Sequence, residues 1–385
     1  MIKKTIQFLL LAGLLPCAAY SQDSTQFIKA SWKELLAKAQ KEHKPIFVDT
    51  YFEGCIACKE MDVKVFPSKE VKEYMKQNFI NTGFDVFKEE FGFDICSRYM
   101  LHGFPTFLVI SPEGKLVDID LGYNDADYFL EFLKKANSRY QKSEFHNGFA
   151  TKIVKEGPDW YQNLYTKKRV LPSDSVVLAF MQQQKDKMSE MSAKAMSICR
   201  KMPVEWRNYY LQNRNEYNKR FGKDLNAGIL DKLMSADLKA LPATYDATAF
   251  EAFIAQKSKE YTGDDWNKIK MDFAFSYFVR THKQTKPFIE FAIANKDRSS
   301  NNIRMIAMYG REELNNPDVK ALLLNWADET LNEHSSLEVL SSVGDMAMNS
   351  NKDQAKKYFT WAALKAGVMG LTGQEQDLKK RIASL

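Results

Sequence analysis

The sequence predicts an α/β domain, a central mixed sheet flanked by helices, followed by an all-α domain. Two observations lead to this. Up to about residue 138, helical periodicity alternates with short runs of β-forming residues. From about residue 172 onward no run reads as a strand. A third observation bears on function: Cys55-Ile56-Ala57-Cys58 stands between an expected strand and an expected helix.

The elements follow in order. Phe27, Ile28, Trp32, Leu35, Leu36 and Ala39 recur at helical spacing and predict a helix over 25–41, ended by His43-Lys44-Pro45. Residues 46–52 (IFVDTYF) are short and rich in β-formers, the pattern of a buried strand. Helical character returns from Cys55 to about Val65 and breaks at Pro67-Ser68, where Ser68 can cap a helix through Gln77. Residues 79–84 read as a strand and 88–101 as a helix. Strands over 106–110 and 116–121 are joined by Ser111-Pro112-Glu113-Gly114, a strong turn signal. Asn124 or Asp125 can then cap a helix to about Asn137.

Residues 139–171 form an aromatic-rich connecting segment. Beyond it, helices are expected between breaks at Pro203, Gly222, Pro242, Gly263, Pro287, Pro317 and Gly367. Residues 351–367 form an amphipathic helix with a glycine stop. A loose helical repeat is one arrangement for this region, although a period of about 34 residues does not hold along it. Met181, Met188, Met191, Met196 and Met202 read as core filler, and the tryptophans after residue 159 as helix packing.

The organisation expected is a signal segment over 1–21, an α/β domain over 22–138, the connection over 139–171 and the all-α domain over 172–385. The signal reading rests on basic Lys3 and Lys4, an apolar stretch over 6–15, and small residues at Ala18, Ala19 and Ser21. Cleavage after Ser21 exports the chain. Lipid attachment at Cys17 is the disfavoured alternative, because Pro16 precedes it where a small residue is usual. The apolar stretch is short of the roughly 20 residues that a membrane span needs, and no later stretch approaches that length, so the mature chain is expected to have no transmembrane span. Net charge is +6, or +4 once Lys3 and Lys4 are removed, which gives no argument for nucleic acid.

Removal of the signal leaves Cys55, Cys58, Cys96 and Cys199. Four cysteines in so long a chain are not a stapling framework. A Cys-x-x-Cys pair can be half of a zinc site, a small structural disulfide or a redox dithiol. A structural zinc site needs four ligands, often two close pairs, and no second pair exists here; no metal or other cofactor is expected. Placement favours redox chemistry. At a helix start, unsatisfied N–H groups and the helix dipole stabilise the thiolate that disulfide exchange requires. Cys58 lies one turn further in and can attack a mixed disulfide on Cys55, and the spacing is expected to keep the sulfurs at bridging distance while leaving one exposed.

Residues 48–59 (VDTYFEGCIACK) resemble the active-site strand and helix of the thioredoxin family, and Gly103-Phe104-Pro105-Thr106 resembles its cis-proline loop. The run from Cys55 to Glu60, with Val65-Phe66 and Ser68, is similar in particular to the C-terminal periplasmic domain of the transmembrane thiol:disulfide interchange reductases. The resemblance spans about residues 25–138. It implies a thioredoxin-like fold, Cys55 as nucleophile and Cys58 as resolving cysteine. Asp49 is then the buried acid that moves a proton to or from Cys58. Pro105, with Phe104 and Thr106, would hold an extended substrate segment. Gly54 departs from the tryptophan usual before the first cysteine, so substrate contacts can differ. The family's membrane portion is missing, which implies an electron-donor protein, expected to be membrane-bound, besides protein thiol or disulfide substrates.

The function expected is an exported thiol–disulfide oxidoreductase, a reductase rather than an oxidase or isomerase. The alternative is a thioredoxin-like binding module whose helical domain recruits a partner, with secondary redox activity. Isolated Cys96 and Cys199 read as inert, Lys59 as a solvated helix-face residue and His102 as a loop residue.

Overall fold

A computed structural model describes residues 27–385 except 264, 297 and 314. The signal segment and Cys17 lie outside the described residues. The first region runs α1 (Trp32–Glu42), β1 (Ile46–Tyr51), α2 (Ile56–Glu60), α3 (Lys69–Asn78), β2 (Ile80–Asp85), α4 (Glu90–Tyr99), β3 (Thr106–Ile110), β4 (Leu116–Leu121) and α5 (Ala126–Gln141). A π-helical turn over Met61–Val65 prolongs α2.

The four strands form one mixed sheet in the order β2-β1-β3-β4. β1 pairs parallel to β2 and antiparallel to β3, and β3 pairs antiparallel to β4. The parallel pair requires a crossover, which α2 and α3 supply. β1 and β3 are central strands buried on both faces, which is why they read as unbroken apolar runs. Successive side chains point to opposite faces. Phe47 and Phe107 join Phe66 and Phe129 on one side; Val48 and Leu108 join Leu35 and Ile95 on the other.

The first helix begins later than the periodicity predicts. Ser31 and Glu34 form a capping box that starts α1 at Trp32. Ile28, expected in that helix, instead runs beside β2: its N–H donates to the Asn81 carbonyl at 2.8 Å, and its carbonyl accepts from Thr82 Oγ1 at 2.8 Å.

Beyond a single-turn α6 (Asp159–Gln162) the chain is helical: α7 (Asp174–Gln183), α8 (Glu190–Ile198), α9 (Val204–Asp237), α10 (Ala247–Lys257), α11 (Trp266–Ala274), α12 (Thr285–Ala294), α13 (Ser300–Gly310), α14 (Pro317–Thr330), α15 (Leu337–Ala347), α16 (Lys352–Val368) and α17 (Thr372–Ala383). Gly222 does break the chain, as a kink inside α9 with φ 83° and ψ 170°, a conformation that a Cβ would strain. Two expected breaks are displaced. Pro287 sits in the first turn of α12, where a missing N–H costs no intrahelical bond. The left-handed residue after α16 is Gly370, at φ 71°, and Gly367 remains helical.

The helical region packs onto the sheet region through buried charge. Arg98 on α4 is 3% exposed and reaches Glu190 Oε1 on α8 at 2.6 Å and Glu156 at 3.0 Å. Lys194 Nζ meets the same Glu190 oxygen at 2.6 Å and donates to the Ser97 carbonyl at 3.1 Å. At the surface, exposed Lys223 on α9 pairs with Asp120 on β4 at 2.7 Å. On the opposite side Lys69 N–H donates to the Met369 carbonyl at 2.8 Å, and the Met369 side chain joins the phenylalanine core.

Candidate active site

Strand β1 leads directly into the site. The chain leaves it at Tyr51, turns through Glu53-Gly54, and enters α2 with Cys55 at the N-cap. Gly54 has φ +90°. This gives a local reason for glycine where the family has tryptophan, since a Cβ is strained in that conformation. The Cys55 N–H donates to the Phe52 carbonyl at 3.1 Å, and Cys55 Sγ accepts from the Cys58 N–H at 3.2 Å. That contact places the Cys55 sulfur on the free N–H groups of the helix start, where negative charge is favoured. Cys55 and Cys58 are disulfide-bonded, S–S 2.03 Å and Cα–Cα 5.3 Å. Exposure does not separate them, at 8% and 7%; the expectation that one stands exposed is not met. Exposed instead is Ile56 between them, at 81%.

Asp49 lies on β1, opposite Gly83 of β2 and Phe107 of β3. It is buried, and its Oδ1 has no hydrogen-bond partner. Burial, reinforced by the negative charge of Asp62, pushes its carboxyl up to about 8, against the opposing pull of Lys29. The group is therefore mostly protonated at neutral pH. Lys29 Nζ is held at the Gly83 carbonyl, 2.8 Å away. Sequence reading assigned neither Asp62 nor Lys29 to this neighbourhood. For Asp62 a signal existed: it lies four residues after Cys58, on the same helical face. For Lys29 there was none.

The loop before β3 completes the arrangement. The Phe104–Pro105 peptide bond is cis. Its position is held from both sides: Thr106 Oγ1 donates to the Gly103 carbonyl at 2.7 Å, and Thr50 Oγ1 on β1 donates to the Thr106 carbonyl at 2.7 Å. The Pro105 carbonyl accepts from the Gly122 N–H at 2.8 Å. Phe104 packs edge-on against Phe52 at 5.8 Å and Phe87 at 6.1 Å. Phe52 thereby ties the cysteine loop to the proline loop.

Residues 32–137 match the family model for a thioredoxin-like domain. This segment is a thioredoxin-like domain. Among solved structures, a thioredoxin from Thermus thermophilus is similar at 26% identity, covering 27% of this chain and 82% of that one, with a TM-score of 0.25. The oxidoreductase DsbH is similar at 19% identity over 34% of this chain and 95% of its own, TM-score 0.27. The oxidised C-terminal domain of DsbD from Neisseria meningitidis is similar at 28% identity over 29% of this chain and 98% of its own, TM-score 0.25. No curated protein matches the chain. A thioredoxin-like domain carrying the Cys55–Cys58 pair supports thiol–disulfide oxidoreductase chemistry in general.

The two remaining thiols have a different environment. Cys96 on α4 is buried, which pushes its thiol up to about 12, and burial also raises that of Cys199. His102 is exposed, its Nδ1 3.0 Å from the Met100 carbonyl, as befits a loop residue. Among the described residues no group of three His, Cys, Asp or Glu side chains could hold a metal ion. Nor is any helix among them long and apolar enough to cross a membrane.

Proposed function

We propose that the chain is exported and reduces disulfides in other proteins. The observation that carries the reading is a cysteine pair at a helix N-terminus, directly after the strand that holds a buried, protonated Asp49. In the reduced protein the Cys55 thiolate attacks a substrate disulfide, and one substrate sulfur leaves as a thiolate. Asp49, once ionised, takes the proton of the Cys58 thiol. The Cys58 thiolate attacks the Cys55 sulfur, the second substrate thiolate leaves, and the Cys55–Cys58 disulfide results. A dithiol on a membrane-bound donor protein returns the two electrons. Pro105, Phe104 and Thr106 hold the substrate segment beside the sulfurs.

The direction rests on the dipeptide between the cysteines. Ile56-Ala57 offers neither a histidine nor a cation to stabilise the thiolate further, and a less stabilised thiolate makes a better reductant. Equilibration of the pair against glutathione tests this. The expected potential is nearer the thioredoxin value of about −270 mV than the oxidising value of about −120 mV. A value at the oxidising end reverses the assignment. N-terminal sequencing of exported protein tests location, with a mature chain expected to start after Ser21.

A further inference from the structure

A cavity of about 720 Å³ opens between the thioredoxin-like domain and the helical region. One wall belongs to the substrate side of the domain: Phe104 of the cis-proline loop, Phe87, and Leu121 at the end of β4. The facing wall comes from outside it, with Leu171 of the connecting segment and Asp224 and Gly228 of α9. Three of these apolar side chains are exposed without a cover: Phe87 at 52%, Leu121 at 40% and Leu171 at 65%. Monomeric proteins seldom gather such residues around one opening unless something binds there.

We infer that this cavity is a second part of the substrate site, taking an extended stretch of the protein substrate that carries bulky apolar side chains beside the reacting cysteine, and that α9 makes the helical region its selecting wall. The inference rests on the disulfide-exchange reading above. Two features argue for this occupant. The cavity reaches the cis-proline loop, whose Phe104 and Thr106 both line it, and Phe104 packs against Phe52 just before the cysteines. Its lining is mainly apolar, and its volume lies within the roughly 300–1,000 Å³ of sites that enclose a ligand of a few residues' size.

The test uses the full chain carrying Cys58→Ser and two cysteine peptides of equal length and charge, each activated as a thiopyridyl disulfide. One has Leu and Phe flanking the cysteine, the other Ser and Thr. The Cys55 thiolate displaces thiopyridone from the peptide sulfur, and the rate is read by absorbance. The apolar peptide is expected to react at least about tenfold faster, the effect of burying one Leu-sized side chain. Leu171→Ser, at an exposed loop position, should cut that preference to below about threefold. So should Gly228→Phe, whose Cβ meets only Ser197 Cβ at an ordinary 3.5 Å. Equal rates for the two peptides overturn the inference. A preference intact in both variants overturns the helical wall. Failure of both peptides to react at Cys55 overturns the exchange reading itself, and the inference with it.

Discussion

Replacing Asp49 with Asn should make the oxidised protein more stable and the reduced protein slower. The folded carboxyl sits at about 8 against an ordinary 3.8, so the folded state holds a proton that the unfolded chain releases. A group raised in this way lowers stability as pH climbs from about 4 to about 8, and the loss then levels off. At pH 7 the carboxyl is held neutral about three pH units above its ordinary value, at roughly 1.36 kcal/mol each, or about 4 kcal/mol. Asparagine removes that cost but leaves a polar group in a slot where Oδ1 already lacks a partner. Part of the gain is therefore expected, about 1–3 kcal/mol at pH 7. Urea unfolding of the disulfide form at pH 5, 7 and 9 measures it: wild type should weaken across the series and Asp49→Asn should weaken less, since the buried carboxyls of Asp125 and Asp224 are raised to about 6 and about 7 and still contribute. Kinetics should move the other way. Resolution of a mixed disulfide on Cys55 should slow by about a hundredfold, the usual worth of a positioned acid–base group, and lose its inflection near pH 8. A variant with the wild-type pH dependence of stability and the wild-type resolving rate would return Asp49 to a structural role.

Three further outcomes follow from other parts of the molecule. In the reduced protein, alkylating agents should modify Cys55 at least about a hundredfold faster than Cys96 or Cys199, because burial suppresses the thiolate of both; mass spectrometry reads this site by site, and comparable rates would remove the case for an activated Cys55. Glu190→Ala should destabilise the chain by about 3–5 kcal/mol in urea, since it leaves Arg98 and Lys194, 3% and 2% exposed, without their shared partner. Residues 22–138 alone should still exchange with a small disulfide but unfold at lower denaturant than the full chain, losing the Met369 cover of the phenylalanine core, worth about 1.5–3 kcal/mol.

Local chemistry carried much of the fold. Strands β3 and β4 lie where runs of β-forming residues and the Ser111–Gly114 turn place them, and β1 ends within a residue of its expected span. Asp125 caps α5 through the Tyr128 N–H, one of two caps considered. The start of α1 was legible as well: Ser31 followed by Glu34 is the capping signature, and it outweighs the apolar periodicity that reached back to Phe27. Helix ends beyond residue 280 were less so. Glycine and proline spacing does not say whether Pro287 precedes a helix or occupies its first turn, because both satisfy the backbone.

The sequence by itself determined the dithiol, its seat at a helix start and the loop containing Pro105, since each depends on neighbours within a few residues. It could not place Lys29 against the Gly83 carbonyl, 54 residues away, or Glu190 against Arg98, 92 residues away. Nor could it show that α9 closes a cavity over Phe104. The raised carboxyl of Asp49, the similar cover over both cysteines and the buried charges between the regions depend on how much solvent is excluded. Exclusion is a property of packed elements distant along the chain, and periodicity within one element does not report it.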